Sequence, residues 1–226
     1  MRLAIVVPTF DEMAYLEPLL SALRREADWV VVSDGGSRDG TLALAAAAGV
    51  HLVEGGEGRG AQLDRGGRLA RDLGADALLF VHADTWLPGG AGEAVVAALE
   101  GGHVGGGFFL RFDDDRPIFR LGGRLVNLRT RLTRLPLGDQ AQFVRGDLFD
   151  ELEGFRPWPI LEDLDFAWRL RRRGRIALLD PPVVTAARRF VEQGVARTVA
   201  TNWLIWILFG LGVSPQRLGG LYRKIR

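Results

Sequence analysis

The chain has 226 residues, 47% hydrophobic and 25% charged, with a formal net charge of +1 and no cysteine. That balance allows a sizeable core. It gives no bulk field toward nucleic acid or an anionic membrane, and it excludes disulfides, a thiolate nucleophile and Cys-ligated zinc. The lack of cysteine fits a reducing compartment.

The first segment, MRLAIVVPTF, carries five apolar residues before a proline, too few for a leader peptide. Leu3–Val7 reads as a buried strand running into Pro8, Thr9, Asp11 and Glu12. Helical spacing follows over Tyr15–Glu26, then a second strand, Trp29–Ser33, which runs into Asp34. VVSDGGSRDGT has the order strand, acid, glycine turn, helix start. Ser37 or Asp39 is placed to cap a helix over Thr41–Ala48, while Asp34 precedes the turn and suits a base or ribose better than a cap. A third strand, Val50–Val53, leads into the glycine loop GEGRGAQLDRG. Its glycines admit close backbone approach to phosphate, and Arg59 adds charge beside Gly60. A helix over Gly60–Leu73 and a fourth strand, Ala77–His82, end the first half.

Strands without polar alternation, separated by helices, predict an α/β fold with a mostly parallel sheet covered on both faces. Ligands bind such sheets beyond the carboxyl ends of the strands. Three strand ends carry polar groups there: Asp11-Glu12, Ser33-Asp34 and His82-Ala83-Asp84. Acids after strands also cap helices, and a turn acid before a helix starting at Pro88 is the plain reading of Asp84. As a ligand, Asp84 suits Mg2+ or Mn2+ bridged to a diphosphate.

The second half is less regular. GGHVGGGFFLRF predicts a strand and Pro117–Leu135 an arginine-rich helix. LGDQAQF holds Gly138, Asp139 and Gln140. In ILEDLDFAWRLRRRG, an apolar face of Leu164, Ala167 and Trp168 puts Glu162 and Asp163 at a helix N-terminus, where the dipole stabilises carboxylates and capping is the default role. AARRF places Arg188 and Arg189 ahead of an apolar segment. That segment is uncharged from Thr198 to Gln216, but its uninterrupted apolar part, Trp203–Val213, is eleven residues. A span needs about 20, so it predicts a buried or interfacial helix, with a membrane surface or a dimer contact both open. No repeat or linker divides residues 1–226, which read as one domain: a nucleotide-binding half to about residue 100 and an acceptor-binding half after it.

VVPTFDE, VVSDGGSRDGT, VHADT and LEDLDFAWRLRRRG, in that order, together resemble the family 2 glycosyltransferases, which have the GT-A fold. The likeness covers about Leu3–Phe190. The GDQ, ED, RLRRRG and ARRF elements further resemble a small bacterial subgroup found in radical-SAM or arsenosugar gene neighbourhoods. The resemblance implies inverting transfer of a sugar from a nucleotide-diphosphate donor, assisted by Mn2+ or Mg2+, to a small-molecule or lipid-linked acceptor, with no nucleic acid partner. It also implies a cytoplasmic place, free or against the inner face of the membrane. Under it, Pro8, Thr9 and Glu12 border the nucleoside, Asp34 contacts the base, Arg59, Gly60 and His82 line the donor, Asp84 binds the metal and diphosphate, and Asp163 is the general base. Glu162, Asp139, Gln140, Arg188 and Arg189 fall to the acceptor or diphosphate, and Arg189 or Arg59 stabilises the leaving group.

Two departures stand out. Asp11 replaces the family's usual asparagine, and His82 stands where the first acid of D-x-D usually stands. One acid remains for metal there, which implies weak metal affinity or a metal held chiefly by donor phosphates. Two rival readings follow. One is a non-catalytic nucleotide-sugar-binding protein of the same fold. The other is an NAD(P)-dependent oxidoreductase, because Gly56, Gly58 and Ala61 match G-x-G-x-x-A, though after the third strand and not the first.

Overall fold

The N-terminal apolar run forms strand β1 (Leu3–Thr9), every residue of which is buried. Its pleat sends Leu3, Ile5 and Val7 to one face and Ala4 and Val6 to the other. A strand buried on both faces needs cover on both. Helices α1 (Met13–Leu23) and α4 (Ala91–Glu100) cover the first face with Leu16, Leu19, Leu20, Leu23, Val95 and Leu99. Helices α3 (Arg59–Asp72), α6 (Gly146–Glu151) and α7 (Glu162–Arg171) cover the second with Leu63, Ala70, Phe149, Phe166 and Leu170. The computed structural model describes residues 1–56 and 58–225, with backbone alone for residues 189, 193, 196 and 223–225.

Among the described residues the sheet has eight strands, adding β2 (Trp29–Asp34), β3 (His51–Glu54), β4 (Ala77–Phe80), β5 (Thr85–Trp86), β6 (Gly105–Phe112), β7 (Phe143–Arg145) and β8 (Ile176–Thr185). Their order is β3-β2-β1-β4-β7-β6-β8-β5. The first four are parallel, as their apolar runs and intervening helices require. The second half joins through antiparallel β7, while β6 and β8 run parallel to each other. The sheet is therefore mixed but mostly parallel.

Close approach is built in. A Cβ on Gly66 of α3 would lie 2.5 Å from Val6 Cγ1, and one on Gly67 2.4 Å from the Phe149 ring. Phe80, Phe149, Phe155 and Phe166 then pack with ring centroids 4.2 to 6.4 Å apart, edge-to-face or offset as their quadrupoles favour.

Three sequence expectations need correction. Helix α4 begins at Ala91 and not at Pro88, because Gly89-Gly90 make a turn with Gly90 at φ +78°. On α7, Trp168 is exposed, and the buried face is Phe166, Ala167 and Leu170 together with Glu162, Asp163 and Asp165; the acids point inward because arginines meet them there. The C-terminal apolar segment is two helices, α9 (Val195–Gly210) and α10 (Pro215–Ile225). They pack Ile205 and Leu218 onto Leu161. Among the described residues no helix is long and apolar enough to cross a membrane. The remaining helices are α2 (Thr41–Ala47), α5 (Pro117–Thr133) and α8 (Arg188–Gln193).

Candidate active site

The carboxyl ends of β1, β2 and β4 form the site's floor. Thr9 Oγ1 donates to Asp34 Oδ2 at 2.8 Å, joining the tips of β1 and β2. Asp34 also accepts the Gly36 and Ser37 N–H groups at 2.7 and 2.8 Å and the Ser37 hydroxyl at 2.5 Å. Burial pushes its carboxyl up, but these bonds outweigh burial and hold it below the ordinary value. Asp34 thus braces the Gly35–Ser37 turn. Pro8 is buried beneath this edge.

Asp11 sits at φ +55°, a left-handed conformation that Asn and Asp tolerate better than other non-glycine residues. That accounts for an aspartate where the family has asparagine. It ties the first loop to the second: its N–H donates to Ser37 Oγ, and its Oδ1 accepts the Arg38 N–H at 2.7 Å. Asp39 does the same for two helix starts, accepting from Thr41 N and from Met13 N. Helix α3 contributes a clamp that the sequence reading missed. Gln62 Nε2 donates to Thr9 O at 2.6 Å and lies 3.3 Å from Ser33 O, and Arg65 donates to Asp34 O. No spacing pattern marks such a buried glutamine.

Glu12 faces across the edge toward the chain's far end. Arg188, at the start of α8, lies 3.5 Å from Glu12 Oε2 and stacks over the Tyr15 ring at 4.7 Å. Burial pushes the Glu12 carboxyl up, Arg188 opposes that, and the nearby Asp84 charge reinforces it. Glu12, Asp84 and Arg188 are therefore one electrostatic group. Asp84 and His82 are half-buried on the bend after β4, where Asp84 O accepts the Ala186 N–H. The Arg189 side chain lies outside the described residues.

A second group lies beside the first. Asp163, at the N-terminus of α7, accepts the Gly138 N–H on Oδ2 at 2.9 Å and the Leu164 N–H on Oδ1 at 2.8 Å. A Cβ on Gly138 would stand 2.9 Å from His82 Nε2 and 3.2 Å from Asp163 Oδ2. Gly138 is thus the gap through which the β4 end and the α7 start approach each other. Arg59 is hydrogen-bonded to Glu162 and lies 3.8 Å from Asp163 Oδ2; its neighbours raise its pKa over the opposing effect of burial. Glu162 is wholly buried, and burial outweighs Arg59 to push its carboxyl up. Gly60 makes room for it: a Cβ there would lie 2.4 Å from Arg156 O and 3.2 Å from Glu162 Cβ.

Asp139 follows Gly138, and its carboxyl is also pushed up, first by burial and further by Asp163, against Arg129 and Arg59. Gln140 is wholly buried. Its Oε1 accepts from Arg129, Thr130 Oγ1 and Leu137 N, and its Nε2 donates to Phe108 O. Its side chain anchors the Gly138–Gln140 turn and does not face outward, the placement expected for a ligand contact. Arg129 was not singled out in the sequence, where it is one arginine among many on α5.

Among the described residues no three His, Asp or Glu side chains gather closely enough to hold a metal alone. The two groups together make this edge rich in carboxylates, with Arg188 in the first group and Arg59 and Arg129 in the second.

These features are those of a GT-A-type α/β fold with a cluster of carboxylates at its carboxyl edge. The family model "Glycosyl transferase family 2" matches residues 4–155, and the chain belongs to that family. No curated protein matches the sequence. Among solved structures, S. aureus TarS residues 1–349 in complex with UDP is 20% identical with a TM-score of 0.60, covering 82% of this chain and 60% of that one. The mannosyltransferase PcManGT from Pyrobaculum calidifontis, in complex with GDP-Man and Mn2+, is 21% identical with a TM-score of 0.61, covering 82% and 56%. Glucosyl-3-phosphoglycerate synthase from Mycobacterium tuberculosis, in complex with Mn2+, UDP and glucosyl-3-phosphoglycerate, is 22% identical with a TM-score of 0.57, covering 82% and 70%. The chain thus spans less than two thirds of the length of TarS 1–349 and PcManGT, and the likeness is one of fold.

Proposed function

We propose that this protein is an inverting glycosyltransferase that uses a nucleotide-diphosphate sugar. The observation that carries the reading is the placement of Asp163. It is fixed by the Gly138 N–H, beside Arg59, and at the meeting point of the β4 end and α7. A carboxylate held there suits a general base.

In the proposed reaction, the acceptor hydroxyl gives its proton to Asp163 as its oxygen attacks the anomeric carbon. The bond from that carbon to the phosphate oxygen breaks, and its electron pair leaves with the nucleoside diphosphate. One displacement inverts the centre, and no covalent nucleophile is needed. Thr9, Asp34 and Pro8 shape the nucleoside edge, Asp34 chiefly through the turn it braces. Arg188 pairs with Glu12 within reach of the Asp84 charge, where the departing diphosphate would collect negative charge. Arg59 is engaged by Glu162 and Asp163, so its role falls to the acceptor end with Asp139 and Arg129. Arg59 and Arg188 apart, residues to about 100 serve the donor and later ones the acceptor.

Asp84 supplies a hard oxygen ligand, which fits Mn2+ or Mg2+. With a single acid on this bend, the ion would be shared with donor phosphate oxygens, and it would supply neutralising charge there. The Mn2+ in the mannosyltransferase and synthase complexes supports a divalent ion. The GDQ, ED, RLRRRG and ARRF elements extend the proposal to the radical-SAM-associated subgroup, and the lack of cysteine suits a cytoplasmic place.

The test is release of nucleoside diphosphate from UDP-, GDP-, ADP- and dTDP-sugars with Mn2+. Turnover of one donor class that Asp163→Asn abolishes supports the reading. Tight donor binding without turnover under every acceptor tried would favour the second reading, a non-catalytic nucleotide-sugar-binding protein, which His82 in place of the first acid favours.

A further inference from the structure

Helix α5 carries a surface feature that sugar transfer does not use. Ile118, Leu121, Leu125, Leu128 and Leu132 recur at alternating steps of three and four, and all are 52% to 76% exposed. At about 100° per residue they form one stripe. The buried residues of the same helix, Phe119, Gly123 and Thr130, lie on the opposite side. Asn127 fastens that inner side to β6 through both directions of hydrogen bond with Leu110. The stripe therefore faces away from the protein body, although such a stripe ordinarily faces a core.

Arginine flanks it. Arg120, Arg124 and Arg131 fall roughly 90° round the helix from the stripe. No acid occurs from Arg116 to Gly138. The three acids just before are engaged locally: Asp113 accepts the Ala187 N–H, Asp114 pairs with Arg116, and Asp115 lies 3.5 Å from Arg120. Among the described residues no carboxylate pairs with Arg124, Arg131 or Arg134. Helix α9 adjoins, since Arg129 of α5 lies over the Trp206 ring at 5.8 Å. It too turns apolar side chains outward, Val199, Trp203, Leu204 and Ile207, and tryptophan favours the membrane–water interface.

We infer that α5, aided by the outer face of α9, docks the protein on an anionic lipid surface. Leucines enter the acyl boundary while the arginine row meets the headgroups. Charge decides against a second copy as the occupant, because no acid occurs from Arg116 to Gly138 and a second such face would offer the arginine row no counter-charge in either orientation. The inference does not depend on sugar transfer. It would, however, bring the membrane within about one helix diameter of the site, because Arg129 on the same helix reaches Gln140 Oε1.

The test is co-flotation of the full chain with phosphatidylcholine vesicles, with and without about 30 mol% phosphatidylglycerol, beside sedimentation equilibrium. Binding is expected only with phosphatidylglycerol, and it should weaken at least about tenfold between about 0.1 and 0.5 M salt. Leu121→Gln/Leu125→Gln should abolish it. Arg120→Gln/Arg124→Gln/Arg131→Gln should weaken it roughly a hundredfold. Both should melt as the wild type does, since the substituted side chains are exposed. No binding, or equal binding to both vesicles, overturns the inference. So does a wild-type dimer that the leucine variant dissociates, which would assign the stripe to a second copy.

Discussion

Arg188 lies 3.5 Å from Glu12 although 176 positions separate them in the chain. That contact brings the start of α8 over the tip of β1, where the charge of Asp84 also acts on the guanidinium. An arginine there would serve the diphosphate in a way a lysine reproduces only in part, because its planar fork binds two phosphate oxygens at once. Arg188→Ala should weaken nucleoside diphosphate binding about tenfold or more, with Arg188→Lys intermediate. Calorimetric titration checks this. Equal affinity in all three forms would remove Arg188 from the donor site.

Asp163→Asn keeps an oxygen for the Gly138 N–H but loses the capacity to take a proton. The turnover number should fall by roughly a hundred- to ten-thousand-fold while donor affinity stays near the wild-type value. A loss of affinity without a loss of turnover would place Asp163 in binding instead.

Gly138 has no positive φ to explain it; what requires glycine is the 2.9 Å gap to His82 and the 3.2 Å gap to Asp163. Gly138→Ala should therefore displace both side chains, cutting turnover at least tenfold at a melting temperature close to that of the wild type. Steady-state kinetics beside a thermal melt separates this from simple misfolding.

Asp34 predicts a pH effect on stability. Its folded pKa lies below the ordinary value of 3.8, so the unfolded chain takes up the proton first as pH falls. Its contribution is present above that value and is lost as pH drops through the lower, folded one. Asp34→Asn keeps an oxygen for the Gly36 and Ser37 N–H groups but sets an NH2 against the Thr9 and Ser37 hydroxyls, and should cost about 1–3 kcal/mol at neutral pH. It should also flatten the acid limb of the stability curve. Urea melts between pH 2 and 7 would show both, and an unchanged acid limb would count against the assignment.

The first half of the fold was legible because β1, β2 and β4 are buried on both faces and therefore apolar at nearly every position. The helices between them showed their 3.6-residue period for the same reason. The second half was less so. Strand β7 is three residues long and β5 two, too short for any pattern, and β8 contains Asp180-Pro181-Pro182. In the site, Asp34, Asp84 and Asp163 stood out as acids at element ends. Gln62 and Arg129 did not, and Gly138 showed only as the first residue of GDQ, since their roles come from tertiary contacts that leave no local trace. Trp168 misled because it lines up with Leu164 as an apolar pair, yet the inner face is Phe166 and Leu170, each two residues away and so across the helix from it.

The central claim is that the carboxyl edge binds a nucleoside diphosphate with a divalent ion at Asp84. Thermal shift with UDP, GDP, ADP and dTDP, each with and without Mn2+, tests it most directly. A shift selective for one nucleoside, dependent on Mn2+ and lost in Asp84→Ala, is the predicted result. No shift with any nucleoside diphosphate, beside a clear one with NAD(P), would contradict the account and restore the oxidoreductase reading of the Gly56–Ala61 loop.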